Sequence, residues 1–160
     1  MINTDEYREQ LRAECCYRSP DKIDKGFWFG LLGQTDFFYR CALFGIVARG
    51  AKLGRSGKWD RNSWLNLSLG MARCVEGCGG RFDISGCESL LELNGSPVVI
   101  VANHMSLLET FALPSVILPF LDLTFVVKES LTTMPLFRDV MKGTKPISVG
   151  RKNPRDDLKR

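Results

Sequence analysis

The sequence predicts an α/β fold: a largely parallel or mixed sheet flanked by helices, preceded by N-terminal amphipathic and apolar helices. Three observations point there. Residues 98–102 (VVIVA) form a continuous β-branched run, the pattern of a strand buried on both faces. Two further apolar runs, residues 123–127 (LTFVV) and 147–149 (ISV), are separated from it and from each other by stretches with helical character. Strands alternating with helices favour parallel pairing. The totals agree: 160 residues, 44% hydrophobic and 25% charged, describe a globular chain long enough to bury a core.

The elements follow in order. Residues 4–18 form a short polar helix, and residues 21–25 a charged link. The aromatic, apolar stretch that follows includes residues 37–48, about three helical turns that are apolar almost all round apart from Tyr39 and Arg40. It leads into Arg49, Lys52, Arg55 and Lys58. An apolar helix too short to span, followed by basic residues, suits the surface of an anionic membrane. A buried core helix with a basic exit loop fits the same pattern.

Residues 62–75 (NSWLNLSLGMARCV) form another helix, ended by Gly77, Gly79 and Gly80. Residues 81–86 (RFDISG) alternate like a short strand. Residues 90–93 make a turn of helix or a loop, closed by the turn sequence Asn94-Gly95-Ser96-Pro97. After the 98–102 strand a helix is expected over residues 106–113, with Pro114 and Pro119 disrupting its continuation. Residues 134–141 form a short helix between the last two strands.

Composition narrows the function classes. A net charge of +4 favours anionic partners without choosing among them. The basic residues are scattered and no nucleic-acid motif is present, so nucleic acid is not an expected partner. The six cysteines contain no C-x-x-C pair, and the single histidine is far from them in sequence, so no metal site is expected. Reduced, structural thiols in a reducing compartment are the expectation. The charged N-terminus cannot be a signal peptide, and no run of about 20 apolar residues is available for a transmembrane helix.

The chemistry concentrates around the one histidine. His104 follows the 98–102 strand by two residues, which puts it at the carboxyl end of a sheet strand, where α/β folds bind ligands. A helix N-terminus beside it offers free N–H groups to an oxyanion or a phosphate. Glu109 stands five positions on. Ser106-Leu107-Leu108-Glu109 is also a capping box, S-x-x-E ahead of an apolar run, which accounts for Glu109 without catalysis. Positions five apart in an ideal helix are offset by about 140° and do not face one another. They meet if His104 precedes the N-cap and folds back over the first turn, so cap and pair are compatible.

Asn103-His104, four spacers and an acid resemble the N-H-x-x-x-x-D block of the glycerolipid acyltransferases, the superfamily of lysophosphatidic-acid and glycerol-3-phosphate acyltransferases. The surroundings are similar in the same order. RFDISGCESLLELNGSPVVIVANHMS looks like the family's strand, short connection and Pro-led strand before Asn-His. FVVKESLTTMPLF looks like its next strand and Lys-rich turn, and PISVGRKNPRDDLKR like the block that ends in a strand and an arginine. The resemblance covers residues 81–160. Two departures stand out: the acid is Glu109 rather than Asp, one methylene longer, and the family's later Glu-Gly-Thr-Arg block is absent.

The resemblance implies a helical membrane-docking region, residues 1–76, and the front part of an α/β acyltransferase domain, residues 77–160, with the remainder missing and the isolated chain inactive. It implies acyl transfer in phospholipid biosynthesis, from acyl-CoA or acyl-carrier protein to a lysophospholipid or glycerol phosphate. His104 would act as general base, Glu109 would orient it, and Arg151 and Lys152 would hold acceptor phosphate. Arg151 as a solvated residue at a strand end is the plainer alternative. No cofactor beyond the thioester co-substrate is implied, and the expected place is the cytoplasmic face of a membrane, peripheral or monotopic. The rival is a non-catalytic lipid- or acyl-carrier-binding protein on the same scaffold.

Overall fold

A computed structural model describes residues 3–21, 36–93, 95–150 and 155. Helix α1, Thr4–Glu14, starts at Asn3, whose side chain accepts the amides of Asp5 and Glu6 while the Glu6 carboxylate accepts the Asn3 N–H. Tyr7 and Leu11, four apart on one face, are buried. The chain leaves through Cys15 in the left-handed region (φ 52°) into strand β1, Tyr17–Arg18.

Helix α2, Asp36–Ser56, is longer than the sequence suggests and carries Arg49, Lys52 and Arg55 on the helix itself rather than on an exit loop. Helix α3, Arg61–Gly77, is capped by Asp60, which accepts the Ser63 N–H at 2.7 Å. Strand β2, Asp83–Ile84, pairs antiparallel with β1, Tyr17 opposite Ile84. Helix α4, Glu88–Glu92, and helix α5, Leu107–Ile117, follow. Strand β3, Val126–Lys128, a 3-10 turn at Glu129–Thr132, helix α6, Phe137–Thr144, and strand β4, Ile147–Val149, complete the order. Strands β3 and β4 are parallel, Val127 opposite Ser148, which is the expected strand–helix–strand unit.

The architecture is mixed α/β and richer in helix than expected: among the described residues the strands form two separate two-stranded sheets rather than one largely parallel sheet. The main correction concerns residues 98–102. They belong to neither sheet, and Val99 and Val101 are 91% and 90% exposed. β-branched composition supplies the propensity for a strand, but a strand exists only through its ladder, and no described neighbour provides one. The 123–127 strand begins later, at Val126, which is exposed rather than buried.

A second correction concerns α5, which runs through Pro114. A proline inside a helix removes an N–H and costs about 3 kcal/mol. Burial of Pro114, Leu118 and Pro119 opposes that cost. Neighbouring hydroxyls also serve the carbonyls near the break: Ser68 of α3 donates to Phe111 O at 2.5 Å, and Ser115 to Ala112 O at 2.6 Å. Arg61 Nε caps the far end on Leu118 O at 2.6 Å.

The core joins α1, α3 and the end of α5 through Tyr7, Leu11, Leu65, Leu69 and Leu118, with Cys15, Tyr17 and Cys87 at its β1–β2 side. Tyr7 and Tyr17 meet edge to face with ring centroids 5.1 Å apart. The six cysteines are free thiols. Helices α2 and α6 pack closely enough that a Cβ on Gly54 would lie 1.8 Å from the Asp139 carbonyl oxygen. Asp139, buried in that contact, faces Arg55 at 3.0 Å and Lys142 at 3.3 Å. Burial alone would raise its carboxyl, but those two cations hold it below the ordinary aspartate value. No described helix is long and apolar enough to cross a membrane.

Candidate active site

His104 sits on the exposed segment that leads into α5, two residues before the N-cap, Ser106. The cap is reciprocal. Ser106 Oγ accepts the Leu108 N–H at 3.0 Å, and Glu109 accepts the Ser106 N–H at 2.9 Å through Oε2. The Ser106 hydroxyl donates to the same oxygen at 2.8 Å, and the Met105 N–H donates to Oε1 at 2.9 Å. Three backbone and side-chain donors therefore clamp one carboxylate at a helix N-terminus.

The electrostatic result is large. The Glu109 backbone amide is the leading cause, and the Ser106 hydroxyl and the Met105 and Ser106 amides add to it. Together they outweigh partial desolvation and lower the Glu109 carboxyl to about 2. The group is a permanent anion at any physiological pH.

Into this anion His104 folds back, as the loop placement requires. Nδ1 lies 3.7 Å from Glu109 Oε2, within ion-pair reach and longer than a hydrogen bond. The imidazole is 67% exposed and the Glu109 side chain 32%. The ring is therefore neither entombed among aliphatic groups nor remote from its carboxylate. With Nδ1 turned to the acid, Nε2 is the nitrogen left for another molecule.

Behind the carboxylate lies a cavity of about 250 Å³ lined by Leu108, Glu109 and Ala112 of α5, with Tyr7, Tyr17 and Leu69 on its other walls. Its lining is mostly apolar, but Glu76 of α3 also reaches it. Glu76 is 5% exposed and accepts the Tyr17 hydroxyl at 2.8 Å and the Ser19 hydroxyl at 2.6 Å. Ser19 Oγ in turn accepts the Phe82 N–H at 2.7 Å. Burial raises the Tyr17 hydroxyl above its ordinary value, with the Glu76 contact adding to it, and burial pushes Tyr7 up to about 12. Sequence reasoning missed this cluster. Its signal was available: Glu76 is a lone carboxylate at the end of the apolar helix MARCVEG.

Of the four residues singled out from sequence, His104 and Glu109 are brought together. Arg151 and Lys152 lie outside the described residues, as do residues 22–35, which take in most of the charged link and the start of the aromatic stretch.

The comparisons with known proteins bear on the same part of the chain. The Acyltransferase family matches residues 81–159, which begin just before β2 and take in His104 and Glu109. A 1-acyl-sn-glycerol-3-phosphate acyltransferase of Pseudomonas aeruginosa is 32% identical over 97 residues, 61% of this chain. The match spans 35% of that protein's length, about a third of it. No solved structure matches the chain. Residues 81–159, with the histidine and acid in the expected order, are similar to the Acyltransferase family, which supports the resemblance to the glycerolipid acyltransferases.

Proposed function

We propose that the protein transfers a fatty acyl group from a thioester, acyl-CoA or acyl-carrier protein, to a hydroxyl of a lysophospholipid or glycerol phosphate. The observation that carries the reading is the exposed His104 imidazole held 3.7 Å from a carboxylate whose own pKa is lowered to about 2. His104 Nε2 takes the proton of the acceptor hydroxyl as its oxygen attacks the thioester carbonyl carbon. The new C–O bond forms, the C–S bond breaks, and the proton passes to the leaving thiolate. Glu109 holds Nδ1–H and stabilises the imidazolium between the two transfers. The substrate hydroxyl is the nucleophile, so no enzyme nucleophile is needed. General-base catalysis of this kind contributes about 10²- to 10⁴-fold.

The apolar cavity behind Glu109 supports an acyl chain lying next to the reacting centre. Arg151 and Lys152 are the proposed acceptor-phosphate ligands, on the family resemblance alone. Peripheral attachment to an anionic membrane is supported by α2. Phe37 and Phe44, seven apart on one stripe of the helix, are 76% and 65% exposed, with exposed Arg40 between them.

A second reading, binding of lipid or acyl-carrier protein without catalysis, is favoured by one observation: both oxygens of Glu109 are already engaged by the cap. An acyl-transfer assay on the native gene product, with vesicle binding measured in parallel, separates the two. The enzymatic reading expects His104→Ala to lose at least about 100-fold in transfer while vesicle binding and far-UV circular dichroism stay unchanged. Vesicle binding with no turnover in the wild type favours the binding reading.

A further inference from the structure

Cys15, Cys16 and Cys87, all free thiols, gather where α1 passes into β1 and β2 into α4. The β1–β2 ladder brings them together. Tyr17 stands opposite Ile84 and Arg18 opposite Asp83, and the Ser19 N–H prolongs the pairing on one side by donating to Phe82 O at 2.9 Å. On the other side the pairing ends at the cysteines: the Cys87 N–H donates to the Cys15 carbonyl oxygen at 3.3 Å. Residues bonded across a ladder have Cα atoms about 5.5 Å apart. That lies inside the range of about 4.4–6.8 Å that a disulfide requires.

The side chains go to the same place. Cys15 turns at φ 52°, out of a strand's alternation, and joins Cys87 in the core cluster with Tyr7, Leu11 and Tyr17. The two cysteines are 6% and 3% exposed. Burial raises both thiols, and the nearby Cys15 thiol adds to the rise at Cys87. Buried thiols are slow to react alone, because the thiolate is the nucleophile and burial disfavours it. Cys16, next in the chain, is exposed. It supplies the entry point that the buried pair lacks.

We propose that Cys15, Cys16 and Cys87 form a thiol–disulfide exchange site, which reacts with a small-molecule disulfide such as glutathione disulfide and ends in a Cys15–Cys87 bond. The Cys16 thiolate attacks the small disulfide: a Cys16–glutathione S–S bond forms, and one glutathione leaves as thiolate and takes up the proton that Cys16 lost. Cys87 then attacks the Cys16 sulfur and releases the second glutathione. Cys15 attacks the Cys87 sulfur and displaces Cys16, which returns to the thiol. In sum, Cys15 and Cys87 lose two electrons and two protons, and glutathione disulfide is reduced to two thiols. The bond staples α1 and β1 to the start of α4 across the core. The inference does not rest on the acyltransferase reading and uses none of its residues.

The test is to incubate the folded chain with glutathione disulfide, block the remaining thiols and map the links by peptide mass spectrometry. The wild type should give Cys15–Cys87 as its main internal link, reversed by dithiothreitol, and its thermal midpoint should rise by several degrees. Cys16→Ser should slow formation of the link at least about tenfold. Cys87→Ala should abolish it and leave glutathione on Cys16. In concentrated urea the preference for this pairing should disappear, because the fold selects it. A folded wild type that takes up glutathione on Cys16 without forming the Cys15–Cys87 link overturns the proposal. A different main pairing in the folded chain, Cys74–Cys78 included, also overturns it. So does a Cys15–Cys87 link that forms as readily in urea, or as fast in Cys16→Ser.

Discussion

Ser106 and Glu109 hold each other across the first turn of α5: the Ser106 amide and hydroxyl both donate to Glu109 Oε2, at 2.9 and 2.8 Å. The capping box thereby does two jobs. It satisfies the orphan amides of the helix start, and it fixes the carboxylate against which His104 turns. A helix-start signal and the proposed catalytic motif here share Glu109.

The two jobs separate by mutation. Glu109→Gln keeps an acceptor for the Ser106 amide, since glutamine also completes a capping box, but removes the charge. Thermal unfolding should show a loss under about 1 kcal/mol. Acyl transfer should fall about 100-fold, because the imidazolium loses its stabilising anion. Ser106→Ala should instead cost about 1 kcal/mol in stability and reduce transfer by displacing Glu109.

Glu109 also has a pH signature. Its carboxyl is lowered from 4.5 to about 2, so the folded state binds its proton less readily than the unfolded chain. The stabilisation it brings is whole above the unfolded value of 4.5 and is lost as pH falls through about 2. Acid unfolding of the wild type should therefore have a component in that window that Glu109→Gln lacks. The acid limb of the transfer rate should contain no carboxyl titration near 4.5 from this residue.

The α2–α6 contact should be the least tolerant place outside the core. A methyl on Gly54 would collide with the Asp139 backbone oxygen, which cannot rotate away. Gly54→Ala should lower stability by about 1–3 kcal/mol or more, read from urea unfolding. An alanine at Gly45, which meets nothing within 4 Å, should not destabilise the fold.

The buried Glu76 gives a third stability test. Tyr17→Phe removes one of its two hydroxyl donors while keeping the ring against Tyr7. A loss of about 1–3 kcal/mol is expected in chemical denaturation. A negligible change would mean that Ser19 alone satisfies the carboxylate.

What could be read from the sequence was local. The helix over 62–75 carries its own cap and glycine stop, and the structure extends it only slightly to Arg61–Gly77. Strand β4 lies at its expected residues, and the capping box at Ser106 is encoded in four residues. What could not be read was whatever depends on a partner distant in sequence. Residues 98–102 have the composition of a buried strand, but only a neighbouring strand decides whether a ladder forms. Pro114 signals a helix end, and burial with Ser68 and Ser115 overrides it. Strand β1, two residues long, exists through its pairing with β2 and has no periodicity of its own. The His104–Glu109 approach follows from the cap, whereas the Glu76 cluster assembles from residues 57 and 59 positions apart.

The central claim is that Glu109 holds the Nδ1–H tautomer of His104 and leaves Nε2 free to take a proton. Because His104 is the only histidine in the chain, one ¹⁵N spectrum of the imidazole reads it without ambiguity. The account predicts a neutral ring protonated mainly on Nδ1, reverting towards the Nε2–H form of free imidazole in Glu109→Gln. A ring already in the Nε2–H form in the wild type, and unchanged by that substitution, would contradict it.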